Sequence, residues 1–232
     1  MASIKGLQKT SLVDFPPYVS CTIFISTCNL RCGFCYNKEL VMDSSDLKEY
    51  SEEEILKFLD KRKNVLDGAC ITGGEPLLYK NLRVFITKVK EKGFKVKLDT
   101  NGTNPERLKE LIDARLLDYI AMDVKNSLEM YDETAGCKAD INAIKRSIEI
   151  IKNSGVNYEF RTTVVPGLHT KEDMKKIGEL LKGSEKFAIQ NFRPDKNVID
   201  VRYRNIKPFS KEELGEFKRI VEGYIKEIEM RL

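Results

Sequence analysis

Three cysteines fall within eight residues, Cys28-Asn-Leu-Arg-Cys32-Gly-Phe-Cys35, and this spacing can bring three thiolates round one point. Iron–sulfur clusters usually take four Cys and structural zinc takes four ligands, so three thiolates leave one position for something else. An open coordination position points to chemistry. In Gly73-Gly74-Glu75-Pro76 the two missing side chains let backbone approach a ligand closely, and Glu75 is an anion able to orient a cation. Read more plainly, the same segment is a strand-to-helix turn with Pro76 at the helix entry. Asp99-Thr100-Asn101-Gly102 and Asp123-Val124-Lys125 each present a carboxylate, and two neighbouring carboxylates repel unless a cation or donor lies between them. Lys125 and Arg161 could offset that charge or serve as ordinary strand-end ion-pair partners, and Gln190 adds an amide.

These residues follow a regular alternation of strand and helix patterns. Strands are expected at Tyr18–Ile25, Ala69–Thr72, Phe94–Leu98, Tyr119–Met122, Tyr158–Val164 and Phe187–Gln190. Between them run apolar residues at helical spacing: Leu82, Phe85, Ile86 and Val89; Leu108, Leu111 and Ile112; Ile141, Ile144, Ile148 and Ile151; Met174, Ile177 and Leu181. Ser51-Glu-Glu-Glu54 is a capping box opening a helix to about Lys63. A second box, Ser210-x-x-Glu213, opens a closing helix expected to bury Leu214, Phe217, Val221, Ile225 and Ile228. Six βα repeats imply parallel strands with right-handed crossovers, in an open sheet or a partial barrel. Each polar cluster follows a strand or lies near its end, and the carboxyl ends of strands are where such folds bind ligands.

The 232 residues fit one α/β domain, 1–232, with a lead-in at 1–17, core βα units at 18–194 and a C-terminal loop and helix at 195–232. Forty basic and 36 acidic residues are interleaved, giving a net charge of +4 without the basic stripe that a nucleic-acid partner needs. No apolar run approaches the ~20 residues of a membrane span, and no signal-peptide core opens the chain, so a cytoplasmic protein is expected. Half of the six cysteines sit in one loop, a poor disulfide framework that fits a reducing compartment. Cys21 and Cys70 read as small buried hydrophobes; Cys137 is isolated and has no assigned role. His169, the one histidine, reads as structural or surface.

CxxxCxΦC after the first strand, with Phe34 as the aromatic, joined to GGEP after the second, resembles the radical S-adenosylmethionine (radical AdoMet) superfamily. The resemblance implies a partial (β/α)6 TIM-like barrel with cluster and AdoMet at the carboxyl ends of the strands. It implies that Cys28, Cys32 and Cys35 hold three irons of a [4Fe-4S] cluster while AdoMet chelates the fourth. Electron transfer to the sulfonium would then release a 5′-deoxyadenosyl radical that takes hydrogen from the substrate. By the same resemblance, Gly73, Gly74, Glu75 and Pro76 bind the AdoMet amino group, and Phe34 and Tyr36 cover the adenine; packing of Phe34 against the barrel is a plainer reading compatible with that. A monovalent cation is expected near Asp99, Thr100 and Asp123, and Asn101, Lys125, Arg161 and Gln190 are expected beside the cofactor.

Gly6-Leu-Gln-Lys-Thr-Ser-Leu-Val-Asp-Phe-Pro16, with Asp99–Gly102, Met122–Lys125, Glu159–Thr163 and Gln190–Pro194, is similar to the glycyl-radical-enzyme activating enzymes. The similarity is greatest to those serving anaerobic ribonucleoside-triphosphate reductase. It implies a glycyl-radical enzyme as protein substrate and flavodoxin or ferredoxin as electron donor. Pro17 and Tyr36 depart from the family pattern, where glycine and histidine are common. Six strands would leave a barrel open at one side, wide enough for an inserted loop. Two rival readings are a radical AdoMet enzyme acting on a small molecule such as a deazapurine precursor, and a zinc module using the Cys loop with His169 or another Cys.

Overall fold

The computed structural model describes residues 2–232, which gather into two compact units. The first comprises residues up to Asn29, Glu39–Thr100 and Glu106–Ile120; the second comprises Leu30–Lys38, Asn101–Pro105 and Ala121–Leu232.

In the first unit β1 (Ile4–Ser11) runs antiparallel to β2 (Ser20–Ile25). Strand β3 (Gly68–Gly73) pairs in parallel with β2, and β4 (Lys95–Thr100) in parallel with β3. Along the chain, α1 (Lys38–Met42) and α2 (Glu52–Lys61) precede β3, α3 (Leu82–Glu91) precedes β4, and α4 (Pro105–Asp113) follows it. The Ser51 hydroxyl accepts the Glu54 N–H at 3.1 Å and the Glu54 carboxylate accepts the Ser51 N–H at 2.8 Å, so the expected capping box starts α2. Ile55 and Leu59 of α2 and Phe85, Ile86 and Val89 of α3 are fully buried, one apolar stripe per helix. Each such side chain contributes roughly 1.5–3 kcal/mol by leaving water.

Strand β5 (Tyr119–Asp123) begins in the first unit and ends in the second. The second unit continues with α5 (Tyr131–Ala135), α6 (Ile141–Lys152), β6 (Asn157–Val164), α7 (Lys171–Leu180), β7 (Lys186–Asn191), α8 (Lys211–Val221) and β8 (Glu227–Arg231). Strands β6, β7 and β8 are parallel, with Arg161 opposite Ala188 and Ala188 opposite Glu229. Glu159 and Arg231 lie two strands apart on one face, and the small Ala188 between them lets their side chains meet at 2.6 Å.

Within each unit the strands that pair are neighbours in the chain, and all pairs but β1 with β2 are parallel, giving the α/β class with parallel-dominated pairing that the alternation predicts. The described residues hold eight strands, the six expected ones with β1 before them and β8 after them. Residues 4–11, expected as a lead-in, form the edge strand β1. The closing helix stops at Val221, and Ile228 belongs to β8 instead. Val221, Ile225 and Ile228 keep helical spacing by coincidence, while Glu227-Ile-Glu-Met-Arg231 alternates charge and apolar groups with the period of a strand. No described helix is long and apolar enough to cross a membrane.

Candidate active site

In the first unit the chain leaves β2 through Thr27, which holds a left-handed φ of 71° and donates its N–H to the Leu40 carbonyl at 2.8 Å. Cys28 follows, partly exposed and unbridged. The Thr27 carbonyl accepts the Glu75 N–H, and the Ile25 carbonyl accepts the Gly74 N–H, both at 2.8 Å. A Cβ at Gly74 would stand 2.1 Å from the Thr27 oxygen, and one at Gly73, where φ is 122°, would stand 2.3 Å from the Ile25 oxygen. Packing against the chain entering the Cys loop therefore accounts for both glycines without any ligand. Glu75 is wholly buried; its Oε1 accepts from the Leu77 N–H at 3.0 Å and from the Thr100 hydroxyl at 2.7 Å. It caps the short 3-10 turn Pro76–Leu78, with Pro76 at the first position.

Asp99 has a cation of its own. The Lys97 ammonium lies 3.3 Å from Asp99 Oδ1 and donates to the Asp14 carbonyl at 2.6 Å, and Lys97 as a whole is 5% exposed. The Asp14 carboxylate in turn accepts from the Thr22 hydroxyl. A buried lysine thus ties the turn after β1 to β4.

The second unit holds Cys32, buried, and Cys35, partly exposed, in a turn closed by the Cys35 N–H on the Cys32 carbonyl at 3.0 Å. The Arg31 N–H bonds the Ala135 carbonyl at 2.7 Å, and Gly136, with φ 67°, packs so tightly on Arg31 that a Cβ would come within 2.1 Å of its oxygen. Gly33 is pinned from the other side by Tyr203 and Asp200, the latter donating its N–H to the Gly33 carbonyl at 2.8 Å.

Asp123 at the end of β5 accepts from Arg161 Nε at 2.7 Å and from Lys125 Nζ at 3.1 Å. Burial alone would raise its pKa, but the Arg161 guanidinium and the Lys125 ammonium outweigh burial and hold the carboxyl well below the usual range. Burial likewise opposes the charge on Lys125, and Asp123 and Cys32 more than offset it, so the ammonium is strongly favoured. The Cys35 thiol is pushed up by burial, with Lys125 acting against the rise and Asp123 adding to it. Asp99 and Asp123 thus each carry a protein cation, and charge compensation alone calls for no monovalent ion.

Phe34, Phe192 and Tyr203 meet edge to face with centroids 6.2–6.4 Å apart. Tyr36 stacks on Phe192 at 5.7 Å and 11°. Tyr36 also lines a cleft of about 430 Å³ with Arg161, Gln190, Asn191 and Asp195, within the size range of small-molecule sites. The Asn191 amide nitrogen donates to the Phe209 carbonyl at 2.8 Å, which leaves its oxygen buried without a partner. Asn101, by contrast, spends its oxygen on the Thr103 N–H and hydroxyl, shaping the loop that leaves β4.

His169 is buried, with Nδ1 accepting the Val165 N–H at 3.1 Å and Nε2 hydrogen-bonded to the Lys125 carbonyl at 2.8 Å. Both ring nitrogens are in use, which removes His169 as a zinc ligand. Among the described residues, no three His, Cys, Asp or Glu side chains are arranged to hold a single metal ion.

Asn191, Asp195 and Lys97 were not anticipated as site residues. Asn191 and Asp195 sit in or beside the Gln190–Pro194 segment, where nothing in the letters says which amide faces a cavity. Lys97 was visible in principle, because Lys-Val-Lys-Leu-Asp places a lysine and Asp99 on one face of a strand.

The sequence profile of the Radical SAM superfamily matches residues 22–181. A protein of Methanocaldococcus jannaschii named as a glycyl-radical enzyme activating enzyme is 35% identical over 99% of this chain and 96% of its own length. The pyruvate formate-lyase-activating enzyme of Clostridium pasteurianum is 27% identical over 98% of both chains. Among solved structures, Streptococcus suis SuiB bound to S-adenosylmethionine superposes with a TM-score of 0.69 at 15% identity, over 89% of this chain and 48% of that one. This chain therefore spans about half the length of SuiB, and the likeness shows the fold. With a superfamily profile over most of its length and a 35% identical relative matched nearly end to end, the chain belongs to the radical AdoMet superfamily and to its family of glycyl-radical-enzyme activating enzymes.

Proposed function

We propose that residues 1–232 work as one radical AdoMet domain that makes a glycyl radical on a partner enzyme, most closely anaerobic ribonucleoside-triphosphate reductase. The observation that carries the reading is the end-to-end identity to an activating enzyme, in a chain whose three loop cysteines form no disulfide. The choice of reductase is supported by the segment 6–16, which the structure turns into β1 and a turn anchored through Asp14.

The residues present fit the expected cofactors. Cys28, Cys32 and Cys35 are unbridged soft donors, suited to three irons of a [4Fe-4S] cluster. The second unit offers a cleft of suitable volume, an aromatic ring and an orphaned buried oxygen on Asn191, which suit a planar polar ligand such as the adenosine of AdoMet. When bound and reduced, the cluster and AdoMet together supply the radical that abstracts hydrogen. The chain's own part is geometric and electrostatic. Glu75 and Thr100 fix the turn after β3, Gly73 and Gly74 let that turn lie against Thr27, and Asp123 keeps Arg161 and Lys125 oriented at the end of β5. No side chain is asked to move a proton, which agrees with a histidine wholly engaged in structure. A monovalent ion would have to compete with Lys97, Lys125 and Arg161 for the carboxylates, and the proposal does not require one. A flavodoxin or ferredoxin is the proposed electron donor, in a reducing, cytoplasmic setting that suits six cysteines outside any disulfide.

The test is anaerobic EPR of the reconstituted, reduced enzyme mixed with AdoMet and the candidate reductase. A glycine-centred doublet is expected with the wild type and none with Cys32→Ala. Loss of the doublet with the cluster intact, together with hydrogen transfer from a small substrate in the absence of any partner protein, would replace this reading with the small-molecule one.

A further inference from the structure

Tyr36, one of the departures from the family pattern, makes a contact that the motif does not contain. Its hydroxyl accepts the Arg193 N–H at 2.7 Å and donates to the Arg193 carbonyl at 2.9 Å. Both polar groups of one peptide residue are thus held by a single phenol oxygen. The ring lies nearly parallel to Phe192, the residue before, so stacking and hydrogen bonding seize consecutive positions of the segment that leaves β7. Phe192 is fully buried, whereas Tyr36 remains 44% exposed and lines the cleft. Arg193, Pro194 and Asp195 line the same cleft, so the clipped segment is one of its walls. Beyond Arg193 the chain runs without regular structure to the 3-10 turn Val201–Tyr203, and no strand ladder holds this wall in place. A backbone that can spend its N–H and C=O on water is free to move, and one whose two groups are captured by a packed side chain is not.

We infer that the Tyr36 hydroxyl is a positioning group: it latches the wall at Arg193 to the residue after the third loop cysteine, and so presets the cleft for its ligand. This rests on the reading above in one respect, that the ligand of the cleft is AdoMet. A preorganised wall lowers the ordering cost of binding, so the latch acts on affinity and leaves cluster loading alone. A histidine or phenylalanine would preserve a flat ring beside Phe192, but phenylalanine has no hydroxyl for either Arg193 group.

Tyr36→Phe tests it, because the ring and its stacking survive and only the oxygen is lost. Each readout uses the full chain. Amide hydrogen exchange at Arg193, without AdoMet, is expected to speed up at least tenfold while β7 amides are unchanged. AdoMet binding to the reconstituted protein, measured by equilibrium dialysis, is expected to weaken about tenfold with iron and sulfide content equal to wild type, which also shows that the variant folds. The KM for AdoMet is expected to rise about tenfold, a larger change than that in kcat. Phe192→Leu, which removes the stacking partner and leaves the phenol, is expected to disturb Arg193 exchange less than Tyr36→Phe. Unchanged exchange at Arg193, or faster exchange with unchanged affinity, would overturn the latch. Absence of AdoMet binding in the wild type would instead overturn the reading on which the latch rests.

Discussion

The turn after β3 and the segment after β7 both follow a strand's carboxyl end, and they are built in opposite ways. At Gly73–Glu75 the backbone is pressed against another stretch of backbone, and the carboxylate is buried and already bonded to Leu77 and Thr100. At Gln190–Asp195 the chain borders open space, one amide oxygen is left without a partner, and order comes from an aromatic neighbour. The first is finished without a ligand; the second is not. A motif can therefore be diagnostic of a family because its letters satisfy the scaffold, while the residues facing a ligand sit in plainer sequence.

Substitutions can break this contrast, beginning with the most damaging. Gly74→Ala puts a Cβ against the Thr27 carbonyl, where backbone must move, and is expected to cost more than about 3 kcal/mol or to prevent folding. Gly223→Ala, with nothing within 4 Å of its Cβ and no positive φ, is the matched control and should change the melting temperature little. If both glycines tolerate alanine equally, the pressed turn is not what its geometry says.

Asp123→Asn leaves Arg161 and Lys125 without their carboxylate. Asp123 keeps 32% of its side chain exposed, so the loss is expected to be below that of a fully buried pair, roughly 1–3 kcal/mol by denaturant titration. The same measurement repeated toward acid should show the sign of the shift. Because the folded pKa of Asp123 lies below its unfolded value, its contribution is present above ~pH 4 and disappears as pH falls through the folded pKa.

How far these features could be read in advance differs with their physics. The six core strands, two capping boxes and the three-cysteine loop rest on local spacing, and local spacing is visible in one chain. Strand β8 was hidden because α8's apolar spacing carried through Ile225 and Ile228, and only the alternation of Glu227, Glu229 and Arg231 argues against a helix. Phe34 packs against protein aromatics, as its plainer reading has it, and Tyr36, expected only over a ligand, does so too, in contacts made with residues more than 150 positions away. The partners of Glu75, Asp99 and Asp123 are likewise fixed by strand register, which no local pattern carries.

Two smaller effects sharpen the comparison. Glu75→Gln keeps the shape but weakens a charge-assisted cap, with an expected cost of about 1 kcal/mol. His169 has its pKa lowered by burial, so below ~pH 6.5 the unfolded chain takes up a proton that the folded chain refuses. Stability should therefore decline as pH falls from ~6.5 toward the folded pKa, and His169→Gln, less stable throughout, should lack that slope. Since His169 is the one histidine, a slope that survives the substitution would assign the titration elsewhere.

The decisive experiment follows one hydrogen atom. A candidate glycyl-radical enzyme is prepared with α-deuterated glycine and incubated anaerobically with the reduced, reconstituted protein and AdoMet, and 5′-deoxyadenosine is analysed by mass spectrometry. Deuterium in the 5′-deoxyadenosine, abolished by Cys32→Ala, is the predicted result. Unlabelled 5′-deoxyadenosine, formed at the same rate whether or not the partner is present, would contradict it.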